Sequence, residues 1–471
     1  MNPIIANEHN KKKCQKFTPQ KVVKDMLELA GYTHGLFGKT VLEYSFGTGN
    51  IIKQIVKLYI EDALAQNISV DSISAGLAAD IYGIELDQQL YNQCVCDLNH
   101  LVSDYGIPCV NWSFVSTDAL QWTTDIRFDF IIGNPPYISY HDIDEENRKY
   151  IRENFTTCKK GKFDYCYAFL EKGIDLLAPG GKMVQLIPSN IYKNVFADKM
   201  RKKLLPGVSA VWEYPNSPLF EDTLTSSSIL VYECRDDIAT ISYRASPKDK
   251  TIQIKKSLLG EKWVFLNTDI ARGKKIRFGS RYHASIAVAT QLNEAFVIKE
   301  ESSVEPECLR KAAAPRSLRY KKEEQIIFPY YYDDNNILMR YDEGTFKSRF
   351  PNAYEHLSAF KDRLDERDSD KSAKWYEYGR SQALSHLNQK KLLLSTVLTN
   401  SVEVYYLTSD AIPYSGIYIT VVDGKSNLQD ALTILQSSDF LKYIFNQGLS
   451  VNGKSKRITC KDINDYQFEE N

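Results

Sequence analysis

Asn134-Pro135-Pro136-Tyr137 follows the apolar run Phe128–Ile132 (FDFII), with only Gly133 between them. A carboxamide at the end of a strand offers a directed acceptor oxygen. The Pro135 carbonyl, stiffened by the proline after it, offers a second. Such a pair suits an amino group carried on an aromatic ring, as in adenine. That nitrogen is a poor nucleophile because its lone pair is delocalised. Gripping both N–H bonds shifts it toward tetrahedral geometry and localises the pair. Tyr137 adds a face on which a planar base can stack. The bland alternative is a rigid turn, since Asn-Pro commonly starts one. Placement at the carboxyl end of a strand favours the chemical reading, because open α/β sheets bind ligands there.

Those residues need a scaffold, and the chain predicts one from Lys39 to about Tyr232. Lys39–Tyr44 (KTVLEY) reads as a strand running into the glycine turn Gly47–Gly49. Ile51–Leu64 has helical periodicity. Asp80–Glu85 (DIYGIE) reads as the next strand and Gln88–Tyr105 as a helix. Trp112–Ser116 and Phe128–Ile132 are further strands. Asp164–Leu177 reads as a helix stopped by Pro179-Gly180-Gly181, followed by the strand Lys182–Ile187. The alternation predicts an α/β fold, a Rossmann-like, mostly parallel sheet with helices on both faces. After Tyr243 it breaks down into short β-like runs, such as Trp263–Leu266 and Val402–Leu407, among charged helical stretches. The expected division is 1–243, with 1–16 as an arm, and an irregular α+β domain over 244–471.

Bulk properties exclude little. The 471 residues, 43% hydrophobic and 25% charged, are ordinary for globular domains. The amino terminus lacks the apolar core of a signal peptide and no run is long enough to cross a bilayer, so a cytoplasmic protein is expected. The nine cysteines include no CxxC pair and the seven histidines form no ligand cluster, so no metal is expected. The net charge of −1 divides into −6 up to Tyr243 and +5 after it, which favours the second part for phosphate contact.

At the tetrapeptide the chain resembles the amino-group DNA methyltransferases of the gamma class, which include TaqI-like enzymes and modification enzymes of type II restriction–modification systems. The order of motifs is the same: cofactor half, catalytic motif, recognition domain. The resemblance implies S-adenosylmethionine as cofactor. Phe17, Thr18 and Pro19 match the family's amino-terminal cofactor motif. Glu43, Phe46, Gly47 and Gly49 match its first glycine turn, although Tyr44-Ser45 stands where Pro and another residue are frequent. Glu85 matches the carboxylate that takes both ribose hydroxyls. Asp118, with Ala119 beside it, matches the acid that accepts from the cofactor's adenine. Phe220 resembles the aromatic that stacks on the target base opposite Tyr137. Such an enzyme acts on double-stranded DNA and flips the adenine out of the duplex.

In the second part, Arg272, Lys274, Lys275, Arg277 and Arg281 form a basic run suited to a phosphate backbone. Arg281–Val297, Lys374–Arg380 and Gly453–Phe468 resemble recognition-domain segments, nearest to the PstI/BsuBI group. Three other readings compete. They are a protein-glutamine methyltransferase, an RNA adenine methyltransferase with the same tetrapeptide, and a DNA-binding protein without catalysis. The long second part argues against the first, and the intact tetrapeptide against the last. Asp365-Glu366 with Lys371 reads as a solvent-facing cluster, and any cleavage would fall to a separate cognate endonuclease.

Overall fold

The computed structural model describes residues 18–215, 226–266, 275–451 and 455–469. The chain divides into two units, Met1–Asp269 and Ile270–Asn471. The first is built on a nine-stranded sheet in the order β3-β2-β1-β4-β5-β7-β6-β8-β9. The strands are β1 (Val41–Glu43), β2 (Ile81–Glu85), β3 (Ser113–Ser116), β4 (Phe128–Gly133), β5 (Leu177–Pro188), β6 (Val208–Tyr214), β7 (Ser227–Glu233), β8 (Thr240–Arg244) and β9 (Ile252–Lys255). From β3 to β5 the pairing is parallel. β7 enters antiparallel between β5 and β6. The expected mostly parallel α/β fold is therefore present.

Helices α1 (Gln20–Ala30), α2 (Ile52–Ala65), α3 (Val70–Asp80), α4 (Gln88–Asp104), α5 (Glu145–Asn154), α6 (Cys166–Leu176) and α7 (Asp198–Leu204) accompany the sheet. Two apolar cores cover its faces, one including Leu42, Ile131 and Met183, the other Val41, Ile132 and Val184. Burial on both faces explains the adjacent apolar residues Val41 and Leu42 of β1 and Phe130, Ile131 and Ile132 of β4. α4 begins where it does because the Asp87 side chain accepts from the Gln89 and Leu90 amides. Helices α1, α3, α5 and α7 were not expected from the sequence.

Two expectations need correction. Pro179-Gly180-Gly181 does not separate α6 from its strand. β5 begins at Leu177, and the three residues form an irregularity within it, where the register with β4 shifts between Phe128 and Phe130. Gly180, at φ 77°, takes the left-handed turn this requires.

The boundary at 243/244 is also displaced, to 269/270. Arg244 pairs with Trp212 in the sheet, lies over its ring, and donates to Asp25 of α1 at 3.3 Å. Trp263–Leu266 is not a strand of the second unit. Trp263 and Phe265 are buried in the first, where Trp263 N–H donates to the Tyr192 carbonyl at 2.8 Å. The true division leaves 30 basic against 33 acidic residues before it and 29 against 27 after it, so the charge contrast shrinks.

The second unit is α+β. One four-stranded sheet contains Tyr282–Ile286, Ile417–Val421, Lys391–Leu394 and Val404–Leu407. Another contains Val297–Ile298, Gln325–Ile327, Leu309–Ala313 and Ile412–Pro413. Among the described residues no helix is long and apolar enough to cross a membrane. Trp263→Ala should cost the first unit about 3–5 kcal/mol, as for other buried aromatics. Hydrogen exchange should show lost protection in β6–β8 and none lost in the second unit; the reverse pattern would restore the earlier boundary.

Candidate active site

Parallel pairing of β1, β2 and β4 brings their carboxyl ends to one edge of the sheet. After β1 the chain turns through Gly47 and Gly49, at φ 56° and 84°, into α2. A Cβ at Gly49 would lie 2.5 Å from Cys94 Sγ, whereas one at Gly47 would meet nothing within 4 Å. The turn is therefore tight against α4 and open at Gly47. The Phe46 ring is buried against Phe114 and Tyr91, so it serves as wall and core.

Glu85, at the end of β2, bridges this turn and its own loop. Oε2 accepts from the Gly47 amide at 2.8 Å and Oε1 from the Asp87 amide at 2.9 Å. Burial raises the carboxyl's pKa, against these amides. Each oxygen keeps a further lone pair, as a diol would require. Glu43, at the end of β1, is 2% exposed, and its Oε2 has no hydrogen-bond partner among the described residues. Burial holds its carboxyl well above the usual range; the Ile52 amide opposes this and the Glu85 charge adds to it.

Asp118 lies in the loop after β3. Its Oδ1 accepts from the Leu120 amide at 2.9 Å and its Oδ2 from Gln121 Nε2 at 3.1 Å. Ala119 is packed into the core. The loop is held from outside by two residues not foreseen from the sequence. Lys172 of α6 donates to the Leu120 carbonyl at 3.0 Å and to the Trp122 carbonyl. Tyr150 of α5 donates to the Leu120 carbonyl at 3.3 Å. Burial pulls the Lys172 ammonium down to about 8, with Asp118 opposing.

Asn134 stands at the carboxyl end of β4. Its Nδ2 donates to Thr18 Oγ1 at 3.2 Å. Its backbone carbonyl accepts from Ser45 Oγ at 3.0 Å. Thr18 is buried, and its own carbonyl accepts from Asn50 Nδ2 at 3.3 Å. Pro19 caps α1, its carbonyl accepting from the Val22 and Val23 amides. Pro135 is buried and Pro136 half-buried. The Tyr137 hydroxyl donates to the Leu186 carbonyl at 2.8 Å, and burial drives its pKa well above the ordinary phenol value. That bond fixes the position of the hydroxyl and the axis of the ring. Beneath Asn134, the fully buried Gln185 donates to the Ile131 carbonyl at 3.3 Å.

The structure thus gathers Thr18, Gly47 and Asn134 with the acids at the ends of neighbouring strands. Asn50, Lys172 and Gln185 were missed, having no motif to mark them, and Ser45 was noted only as a departure within the glycine turn. Phe17, Phe220, Arg272 and Lys274 lie outside the described residues. Lys275 and Arg277 belong to a short strand paired with Gln467–Glu469, and the Arg277 guanidinium is bound to Asp465. Arg281 lies over the Phe468 ring at 5.9 Å. Tyr376 and Tyr378, in the Lys374–Arg380 segment, are fully buried core residues.

The fold is that of the Rossmann-like α/β methyltransferases. Residues 62–208 match the Eco57I restriction-modification methylase family model. It is 28% identical over 198 residues to the type II methyltransferase M.BstVI of Geobacillus stearothermophilus, covering 40% of this chain and 35% of that protein. With the type II restriction enzyme and methyltransferase RM.Eco57I of Escherichia coli it shares 24% over 332 residues, 59% of this chain and 33% of that one. With the type II methyltransferase M.HincII of Haemophilus influenzae it shares 23% over 411 residues, 81% and 72% respectively. The chain thus spans about a third of M.BstVI and RM.Eco57I. Among solved structures it resembles the type IIL restriction-modification enzyme MmeI in complex with DNA, with TM-score 0.61 and 12% identity over 95% of this chain and 64% of that one. The type ISP enzyme LlaGI gives TM-score 0.56 and 12% identity over 91% and 51%.

Glu43 is the residue for a pH test. A raised carboxyl pKa contributes stability that is full below the unfolded value of about 4.3 and is lost as pH rises through the folded value. Glu43→Gln imitates the protonated form. The variant and wild type should melt together at acid pH, and the variant should gain an advantage as pH rises. A gap independent of pH, read by thermal melting, would show that Glu43 is not held protonated.

Proposed function

We propose that the chain is a site-specific, S-adenosylmethionine-dependent DNA methyltransferase acting on the 6-amino group of a flipped-out adenine. It would be the modification component of a restriction–modification system. The observation that carries this is the anchoring of Asn134. Its amide nitrogen is held by Thr18 and its backbone carbonyl by Ser45, so the side-chain oxygen is the end turned away from Thr18. That is the end an amino-group acceptor site needs.

The residues present fit the cofactor. The open side of Gly47, the doubly anchored Glu85, the unpartnered buried oxygen of Glu43 and the braced Asp118 lie at adjacent strand ends. Glu85 would hold the ribose hydroxyls, Asp118 the adenine amino group, and Thr18 and Glu43 the methionine end. S-adenosylmethionine, when bound, supplies the electrophilic methyl group. Asn134 Oδ1 and the Pro135 carbonyl accept the two N–H bonds of the target amine and raise its nucleophilicity. Tyr137, its ring set by Leu186, stacks on the base and offsets part of the unstacking cost. Phe220 would close the opposite side. Residues 270–471 would read the DNA.

Base-modification sequencing of DNA from cells expressing the chain tests this directly. N6-methyladenine at one recurrent site is expected. Asn134→Ala should lower turnover by roughly two orders of magnitude or more, since one preorganised hydrogen bond of this kind is worth about 3–4 kcal/mol, while cofactor affinity changes little. Methylation confined to RNA or to a protein glutamine would overturn the assignment.

Lys172→Met should loosen the Asp118 loop and weaken cofactor binding roughly tenfold, the scale of one lost charge-assisted hydrogen bond. In wild type the ammonium is present below about 8 and is lost as pH rises past it. Calorimetry should therefore show cofactor affinity falling above that pH in wild type and not in the variant. Parallel profiles would remove Lys172 from this role.

A further inference from the structure

Between Leu309 and Lys322 the chain carries six basic residues and no acid. The run follows a strand, Leu309–Ala313, into a short helix, Pro315–Arg319. The helix ends in a tight turn. The Lys321 amide donates to the Leu318 carbonyl at 3.0 Å and the Lys322 amide to the Ser317 carbonyl at 2.9 Å. Lys321 adopts φ 51°, left-handed backbone that a lysine seldom takes. The turn exposes Arg316, Arg319, Lys321 and Lys322, with Tyr320 between them at 64% exposure. Arg319 is spent on Glu403 at 2.8 Å. Among the described residues Arg316, Lys321 and Lys322 form no ion pair.

Beside this turn lies a cleft of about 520 Å³. The two are joined. The Tyr414 amide donates to the Ala313 carbonyl at 3.0 Å, Tyr414 Oη and Ser317 Oγ are 3.3 Å apart, and a Cβ at Gly416 would lie 3.0 Å from Pro315 Cγ. The helix that carries the basic turn therefore packs directly beside the cleft. The cleft wall joins the apolar stretch 286–289 to polar side chains, among them Asn293, Thr396, Tyr414 and Ser415. Cations that position a duplex on its phosphates, next to short polar side chains able to meet base edges, are the two parts of a DNA-reading surface.

We propose that the turn 316–322 and the adjoining cleft form one duplex-DNA contact surface, with Arg316, Lys321 and Lys322 on phosphates and Asn293, Thr396 and Ser415 at base edges. The proposal rests on the methyltransferase reading above. An acidic protein could satisfy the cations, but it gives no reason for the cluster of short polar side chains beside them. The surface also differs from the run at 272–281, where Arg277 is already bound to Asp465.

The test uses the full chain and a fluorescein-labelled duplex of random sequence over a salt series. In the variant R316Q/K321Q/K322Q the slope of log affinity against log salt should fall by about 0.9 per cation removed. Melting temperature and S-adenosylmethionine affinity should not change, since the three side chains are exposed and belong to the second unit. In N293A/S415A the random-duplex affinity should hold, while base-modification sequencing should show a relaxed target site. If wild type binds the duplex and the triple variant keeps its slope, this surface is overturned and the methyltransferase reading stands. An unchanged target site in N293A/S415A overturns the base-edge assignment. A wild-type chain that neither binds nor methylates duplex DNA overturns the methyltransferase reading, and this surface with it.

Discussion

A carboxamide has two ends of similar shape and opposite hydrogen-bonding character. Asn134 can serve as an acceptor only if its nitrogen end is held elsewhere. Thr18 Oγ1 holds it, at 3.2 Å, and Asn50 in turn holds the Thr18 carbonyl. Ser45 fixes the Asn134 peptide itself. These contacts come from the segment before α1, the turn after β1 and the start of α2. They meet because β1 and β4 run parallel in the register Leu42 to Ile131, which sets their carboxyl ends at the same level. The rest of the proposed active site depends on that register.

Around this anchor the site keeps polar groups in costly surroundings. Glu43 and Glu85 are neighbouring acids, both raised by burial, and Glu43 has an oxygen that nothing in the described structure satisfies. A fold under selection for stability alone would pair or remove such a group. Its retention is what a pocket built for a polar or cationic ligand requires. The Asp118 loop shows the opposite economy. Its acid accepts from the Leu120 amide and the Gln121 side chain of the same loop, and its carbonyls are tied down by Lys172 and Tyr150 from two helices. One loop is prepared for its ligand and braced, the other left to be completed by it.

The two units divide differently from the charge pattern. Moving the boundary to 269/270 returns β9 and the Trp263–Phe265 segment to the first unit, with six basic residues and three acids, and most of the contrast disappears. Net charge then says little about where DNA would lie. Local arrangement says more. The cations at 316–322 are exposed on a turn, whereas Arg277, in a run of similar density, is neutralised by an acid far along the chain.

The sequence by itself determined the alternating strands and helices of the first unit, the tetrapeptide at the end of β4, and the acids at the ends of β1 and β2. These are local signals: residue periodicity, a glycine turn, a proline-stiffened loop. It did not reveal α1, α3, α5 or α7, the irregularity that keeps Pro179-Gly180-Gly181 inside β5, or the domain boundary. Nor did it reveal Asn50, Lys172 and Gln185. Thr18 and Asn134 are 116 positions apart, and Lys172 is 52 from the carbonyl it holds. Such pairings exist only once the sheet register and the two cores have set which strand ends and helix faces meet, so only the tertiary structure decided them.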